Sequence, residues 1–181
     1  MDISVFCGSS MDSTCFNKEF EQLGKIIASN NANLIYGGGF KGYMGVLAKS
    51  VLDEHGVAVG IIPEQFNDET KVDYNSEGNY FIVKVNSVEE RKNIMLKSDL
   101  IIIAPGSYGT LDEIATTLLN IQASKVKVPI IILNFDSFYT DFIKFLYKVE
   151  ESNIGDFNIL DSIIIEPSIY SLGLTLEKFF H

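Results

Sequence analysis

Two glycine-rich turns hold the residues best suited to gripping an anion: Gly37-Gly38-Gly39-Phe40-Lys41-Gly42-Tyr43-Met44-Gly45 and Pro105-Gly106-Ser107-Tyr108-Gly109-Thr110. Each follows an apolar strand pattern and leads into a helical one. Missing Cβ atoms let backbone amides close on a bound oxygen, and the helix start adds N–H groups without intrahelical partners. Neither turn is a P-loop, because Gly-Lys-Ser/Thr is missing, and the first lacks the spacing of a dinucleotide fingerprint. Either alone reads equally well as a tight connection; two opening on one sheet edge favour a ligand.

Two side chains could act beside such a cradle. Arg91 is the only arginine among 14 basic residues, and its planar fork suits phosphate or carboxylate oxygens held by two parallel bonds. A solvated pair with Glu89 or Glu90 is the ordinary alternative, and Lys92 beside it reads as an unremarkable basic residue. The second turn continues Leu111-Asp112-Glu113. With Thr110 near the N-cap, Thr110 and Glu113 have capping-box spacing, and both acids would favour the helix start. Glu113 also lies one turn from the candidate cradle, which makes it a candidate catalytic carboxylate.

The surrounding pattern says what must position these groups. Strand-like runs at 3–7, 34–36, 57–62, 81–85, 100–104, 128–133 and 163–165 alternate with helical stretches at 15–30, 43–54, 87–98, 110–122, 138–150 and 167–180. Phe16, Phe20, Leu23 and Ile27 recur at steps of four, three and four, one apolar stripe. Leu100-Ile101-Ile102-Ile103-Ala104 is continuous, as in a strand buried on both faces. Strand–helix alternation with short links predicts an α/β fold, a Rossmann-like three-layer arrangement with a mainly parallel sheet and helices on both faces. Residues 64–79 break the rhythm and read as a loop over the ligand edge; Pro63 should end the third strand. Phe142, Phe145 and Leu146 read as helix-to-sheet packing. Phe179 and Phe180 would be covered by a second copy or by packing back on the sheet. No linker or repeat divides residues 1–181, so one domain is expected.

Composition narrows the partners. Of 181 residues 46% are hydrophobic, and the net charge is -10. An acidic chain of this kind is ill suited to a nucleic-acid backbone, whereas one small anion can be held locally. The start lacks a basic segment followed by an apolar one, and no apolar run reaches eighteen residues, so a cytoplasmic protein without a membrane partner is expected. With two cysteines and two histidines, no metal-ligand spacing arises. Cys7 reads as a small core residue, because no histidine accompanies it as a base. Neither a metal nor a cofactor is expected.

Taken together, Val5-Phe6-Cys7-Gly8-Ser9-Ser10, the Tyr36–Gly45 motif, Gly60-Ile61-Ile62-Pro63, Glu90-Arg91-Lys92 with Met95, Pro105 to Glu113, and Gln122 followed by Pro129 resemble the cytokinin riboside 5′-monophosphate phosphoribohydrolases. These "lonely guy" proteins were formerly labelled lysine decarboxylases. The resemblance implies a Rossmann-like homodimer that hydrolyses the N-glycosidic bond of a nucleoside 5′-monophosphate, a cytokinin riboside monophosphate or AMP, to free base and ribose 5-phosphate. The family's catalytic pair falls on Arg91 and Glu113. The substrate- and phosphate-binding set comprises Ser9, Gly38, Gly39, Gly42, Lys92, Gly106, Ser107, Tyr108, Gly109 and Thr110. Ser107 departs from the family's usual second glycine. A nucleotide- or molybdenum-cofactor carrier with the same cradle is the alternative. The decarboxylase label would need a Schiff-base lysine, for which no lysine stands in a suitable setting.

Overall fold

Apolar runs become strands, the central ones buried on both faces and the edge strand over Tyr80–Val85 largely exposed, and the amphipathic stretches between them become helices. The computed structural model describes residues 1–10, 14–66, 79–123, 128–152, 154 and 159–180. In chain order the elements are β1 (Asp2–Phe6), α1 (Asn17–Ser29), β2 (Asn33–Tyr36), α2 (Gly42–Asp53), β3 (Val57–Pro63), β4 (Tyr80–Val85) and α3 (Val88–Met95). There follow β5 (Leu100–Ile103), α4 (Tyr108–Gln122), β6 (Ile130–Leu133), α5 (Thr140–Glu151), β7 (Ile163–Glu166) and α6 (Ile169–Phe180).

The strands form one seven-stranded sheet of order β4-β3-β2-β1-β5-β6-β7, parallel at every described pairing. Leu100 and Ile102 of β5 point into one core and Ile101 and Ile103 into the other, which is why that strand carries no polar residue. On the first face pack Phe20, Leu23 and Ile27 of α1, Leu47 and Val51 of α2, and Leu172 and Leu176 of α6. On the second pack Met95 of α3, Ile114 and Ile121 of α4, and Ile143 of α5. Each such side chain contributes roughly 1.5–3 kcal/mol by leaving water. The three-layer α/β arrangement read from the sequence is the one the chain adopts.

Several local expectations need correction, but β3 does end at Pro63 as expected, with the proline itself included as the strand's last residue, opposite Val85 of β4. It lies beyond the register with β2, which ends at Tyr36 opposite Gly60, so its missing N–H breaks no ladder there. Phe145 is exposed: α5 turns its Ile143 edge inward, and two residues along a helix face nearly opposite ways. Of the two covers expected for Phe179 and Phe180, the fold supplies the second: both pack back against the α1–α2 core. The helix expected from 138 starts at Thr140, after a 3-10 turn (Phe135–Ser137) in which Asp136 and Ser137 have φ of 47° and 64°. Of the loop expected over 64–79, residues 64–66 form a 3-10 turn and 67–78 lie outside the described residues.

The sheet order fixes where a ligand edge can form. β1 neighbours both β2 and β5, so the chain builds outward to one edge and then resumes on the other side of β1. At such a switch point the connections after β1 and β5 part company and leave a crevice beyond the carboxyl ends of both.

Candidate active site

The crevice is a cleft of about 310 Å³, and both sides of the switch point contribute to it. Cys7, Gly8 and Ser9 come from the end of β1, and Ser107, Gly109 and Thr110 from the turn after β5 and the start of α4. The two connections are tied together: the Gly8 amide donates to the Pro105 carbonyl at 3.1 Å, and the Met44 amide donates to the Gly8 carbonyl at 3.2 Å. Gly106 must lack a Cβ, which would collide with Thr110 Oγ1 and lie 2.9 Å from the Gly8 nitrogen.

Helix α4 begins three residues earlier than a Thr110 N-cap would place it. Ser107 is its N-cap, with φ −103° and ψ −153° and no side-chain cap bond, a conformation serine takes without strain. The Leu111 amide donates to the Ser107 carbonyl at 3.0 Å. The amides of Tyr108, Gly109 and Thr110 precede that first intrahelical bond and carry the positive end of the helix dipole. Asp112 and Glu113 therefore sit in the second turn, too deep to cap the helix. The expectation of a Thr110–Glu113 box is corrected, and with it the simplest non-functional reason for Glu113.

Glu113 projects instead into the cleft. Its Oε1 lies 3.3 Å from Nη2 of Arg91, and the two side chains are 7% and 14% exposed. Arg91 is available because Glu90 is occupied at the start of α3, where its carboxylate accepts from the Asn86 amide at 2.8 Å while Ser87 Oγ accepts from the Glu90 amide at 3.1 Å. The Arg91 Nε is buried without a hydrogen-bond partner, a state that costs about 1–3 kcal/mol unless a ligand completes it. Burial pushes the Glu113 carboxyl up to about 7; Arg91 opposes that shift, Asp112 adds to it, and Lys92 opposes it. The carboxyl is thus divided between its acid and carboxylate forms at neutral pH. Beneath it the Cys7 thiol and the Tyr139 hydroxyl are both held neutral, chiefly by burial. Tyr139 donates to the Ala104 carbonyl at 2.9 Å. Cys7 lines the cleft but is no thiolate nucleophile.

The sequence-derived set divides on inspection. Arg91, Glu113, Ser9, Ser107, Gly109 and Thr110 line the cleft; Gly38, Gly39, Gly42, Lys92, Gly106 and Tyr108 are outside the lining. Gly38 (φ +85°) is turned against Gly60 and Ile62, and Gly42 (φ +54°) against the backbone of Ser9 and Ser10. Lys92 is buried, with its Nζ 2.8 Å from Asp112 Oδ2. Tyr108 is 87% exposed, so its amide rather than its ring faces the helix start. The cleft also takes in Gly37 and Met44 of the first glycine-rich turn, with Phe66, Val88 and Asp112; none of the five was in the expected binding set. Phe66 and Val88 are apolar residues on separate elements with no motif to mark them, whereas Met44 lies within the first glycine-rich motif. Among the described residues no lysine lines the cleft, so the site does not fit pyridoxal phosphate, and no group of three or more candidate metal ligands occurs.

A parallel sheet with an open helix start at its switch point, and a buried Arg–Glu pair beside it, defines a Rossmann-like α/β protein with an anion-receptive cleft. A family profile described as "Possible lysine decarboxylase" matches residues 44–167. The cytokinin riboside 5′-monophosphate phosphoribohydrolases LOG3 and LOG5 of Arabidopsis thaliana are 31% and 32% identical over 179 residues, covering 98% of this chain and 82% and 77% of theirs. The LOG protein of Oryza sativa subsp. japonica is 31% identical over 180 residues, 98% of this chain and 73% of its own. The chain belongs to this phosphoribohydrolase family, the LOG family. Among solved structures, the molybdenum cofactor binding protein of Rippkaea orientalis superposes with a TM-score of 0.69 at 23% identity, covering 99% and 97% of the two chains. The Moco carrier protein of Chlamydomonas reinhardtii superposes at 0.68 and 19% identity, covering 98% and 95%. At those identities the likeness is one of fold.

Proposed function

We propose that this chain hydrolyses the N-glycosidic bond of a nucleoside 5′-monophosphate, releasing the free base and ribose 5-phosphate. The observation that carries this reading is the buried Arg91–Glu113 pair at 3.3 Å, in the same cleft as the open start of α4. The names of the LOG relatives support it.

The 5′-phosphate sits on the amides of Tyr108, Gly109 and Thr110, with the hydroxyls of Ser107 and Thr110 beside it. Phosphate at a helix N-terminus needs no cation, which suits a chain of net charge -10. As the bond from C1′ to the base stretches, its electron pair leaves with the base and C1′ becomes oxocarbenium-like. The Glu113 carboxylate stabilises that charge and orients a water molecule. Water oxygen bonds to C1′, Glu113 takes the water's proton, and that proton passes to the departing base. The sum is substrate plus water giving base plus ribose 5-phosphate. A carboxyl held near 7 can accept and return a proton at neutral pH. Arg91 holds Glu113 in place, and its unpartnered Nε is a donor for a phosphate or ribose oxygen.

The same reading takes the chain as one nucleotide-binding domain that acts as a cytoplasmic homodimer. Tyr108, Leu111 and Leu119 are exposed along α4 and would be covered in such a dimer; sedimentation equilibrium at twice the chain mass is the expected result. No described helix is long and apolar enough to cross a membrane.

Chromatography after incubating the purified protein with AMP and with N6-isopentenyl-AMP tests the reaction. Free base and ribose 5-phosphate in equal amounts are expected from at least one. Binding of either nucleotide without base release would replace hydrolysis by carriage.

A further inference from the structure

Among the described residues two ion pairs join α3 to α4, and they fall on consecutive residues of both helices. Arg91 Nη2 lies 3.3 Å from Glu113 Oε1, and Lys92 Nζ lies 2.8 Å from Asp112 Oδ2. The second pair is lopsided: the Lys92 side chain is 10% exposed and that of Asp112 54%. A buried ammonium must be paired, and removing its partner is costly. Lys92 is outside the cleft lining, whereas Asp112 and Glu113 both belong to it. An ammonium committed to Asp112 is not free to reach a substrate phosphate, the role that the family resemblance assigns to Lys92.

We infer that Lys92 is a positioning residue: it holds Asp112 against α3 and cancels the Asp112 charge beside Glu113, without touching substrate. This rests on the hydrolase reading only in giving Glu113 a proton to move. The groups that face Glu113 come from several elements. Arg91 and Lys92 approach from α3 and favour its carboxylate form, while Asp112 on α4 opposes that form. Cys7 after β1 and Tyr139 before α5 are held neutral by burial and add no charge. A neighbouring ion moves a carboxyl midpoint by about one pH unit or more, but a paired Lys92 and Asp112 largely offset each other at Glu113. Breaking the pair from either side bares one sign of charge, so the two breaks act in opposite directions. A lysine that served only to bind substrate would show no such opposition.

NMR titration of the Glu113 carboxyl tests the inference without substrate. The full chain is isotope-labelled at the glutamate carboxyl carbon, and the Glu113 signal is assigned by its loss in Glu113→Gln. Lys92→Met should raise the midpoint by about one pH unit, because the Asp112 charge is left bare. Asp112→Asn should lower it by about one unit, because Lys92 then acts alone. The double variant Lys92→Met/Asp112→Asn should fall between the two. With AMP or N6-isopentenyl-AMP as substrate, the acidic limb of kcat/KM should move with the midpoint in each variant. Single variants that leave the midpoint in place, or shift it in the same direction, would overturn the inference. A raised KM in Lys92→Met with an unmoved midpoint would make Lys92 a substrate ligand instead. If wild type releases no base, the hydrolase reading fails, and the midpoints still decide the role of Lys92.

Discussion

At Gly38 the backbone has φ +85°, and a Cβ would run into Ile62 and lie 3.3 Å from Gly60 Cα. At Gly109 the backbone is helical, and a Cβ would meet nothing within 4 Å. Both residues belong to glycine-rich turns between a strand and a helix, but glycine answers a different need in each. Gly38 and Gly42 of the first turn are folded inward against β3 and the loop after β1 and serve packing and backbone conformation, while Gly37 lines the cleft. The second leaves a glycine where the fold could accept a larger residue, in a helix that alanine would favour. A glycine that neither φ nor packing requires, lining a cleft at a helix start, leaves room for something outside the chain. Ligand sites and tight turns share a composition; the empty space beside the missing Cβ separates them.

Substitutions at these positions should split the same way. Gly38→Ala combines a left-handed backbone with overpacking and should destabilise the fold by about 3 kcal/mol, read from urea unfolding, while turnover per folded molecule stays near wild type. Gly109→Ala should leave stability unchanged or raise it by up to about 1 kcal/mol. A methyl beside the phosphate should still raise KM about tenfold, or about 1.4 kcal/mol of binding. If Gly109→Ala left KM untouched, or Gly38→Ala impaired turnover without lowering stability, the division between the turns would be wrong.

The fold was readable because it rests on short-range patterns. Continuous apolar runs such as 100–104 can only be strands buried twice, and the stripe Phe16–Ile27 can only face a core. The site was readable in part. Arg91 stood out through chemistry, but its pairing with Glu113 across 22 positions depends on how α3 and α4 cross the sheet edge, which no local pattern encodes. The start of α4 was misplaced because Thr110 and Glu113 have capping-box spacing while the helix begins after Ser107. Phe66 and Val88 were invisible: in sequence an apolar residue facing a cleft looks the same as one facing the core, just as exposed Phe145 looked like a packing residue.

Glu113 carries the smaller pH effects. With the carboxylate as the active form, kcat/KM should fall about tenfold per pH unit below roughly 7, as the free enzyme's Glu113 protonates. Its native value, raised to about 7 from an ordinary 4.5, also sets a stability sign. The stabilising contribution is fully present below about 4.5 and is lost as pH rises through about 7, because the buried group must then ionise. Glu113→Gln removes that cost, and with Arg91 left unpaired the net gain at pH 8 should be on the order of 1–2 kcal/mol in unfolding free energy. At pH 4.5 no such gain is expected.

Base release per folded molecule at pH 8 by wild type and Glu113→Gln, with Arg91→Ala alongside, tests the buried pair most directly. The account predicts that kcat falls by ~1,000-fold or more in Glu113→Gln, although that variant is folded and at least as stable as wild type. Turnover within a fewfold of wild type in a folded Glu113→Gln protein would contradict it.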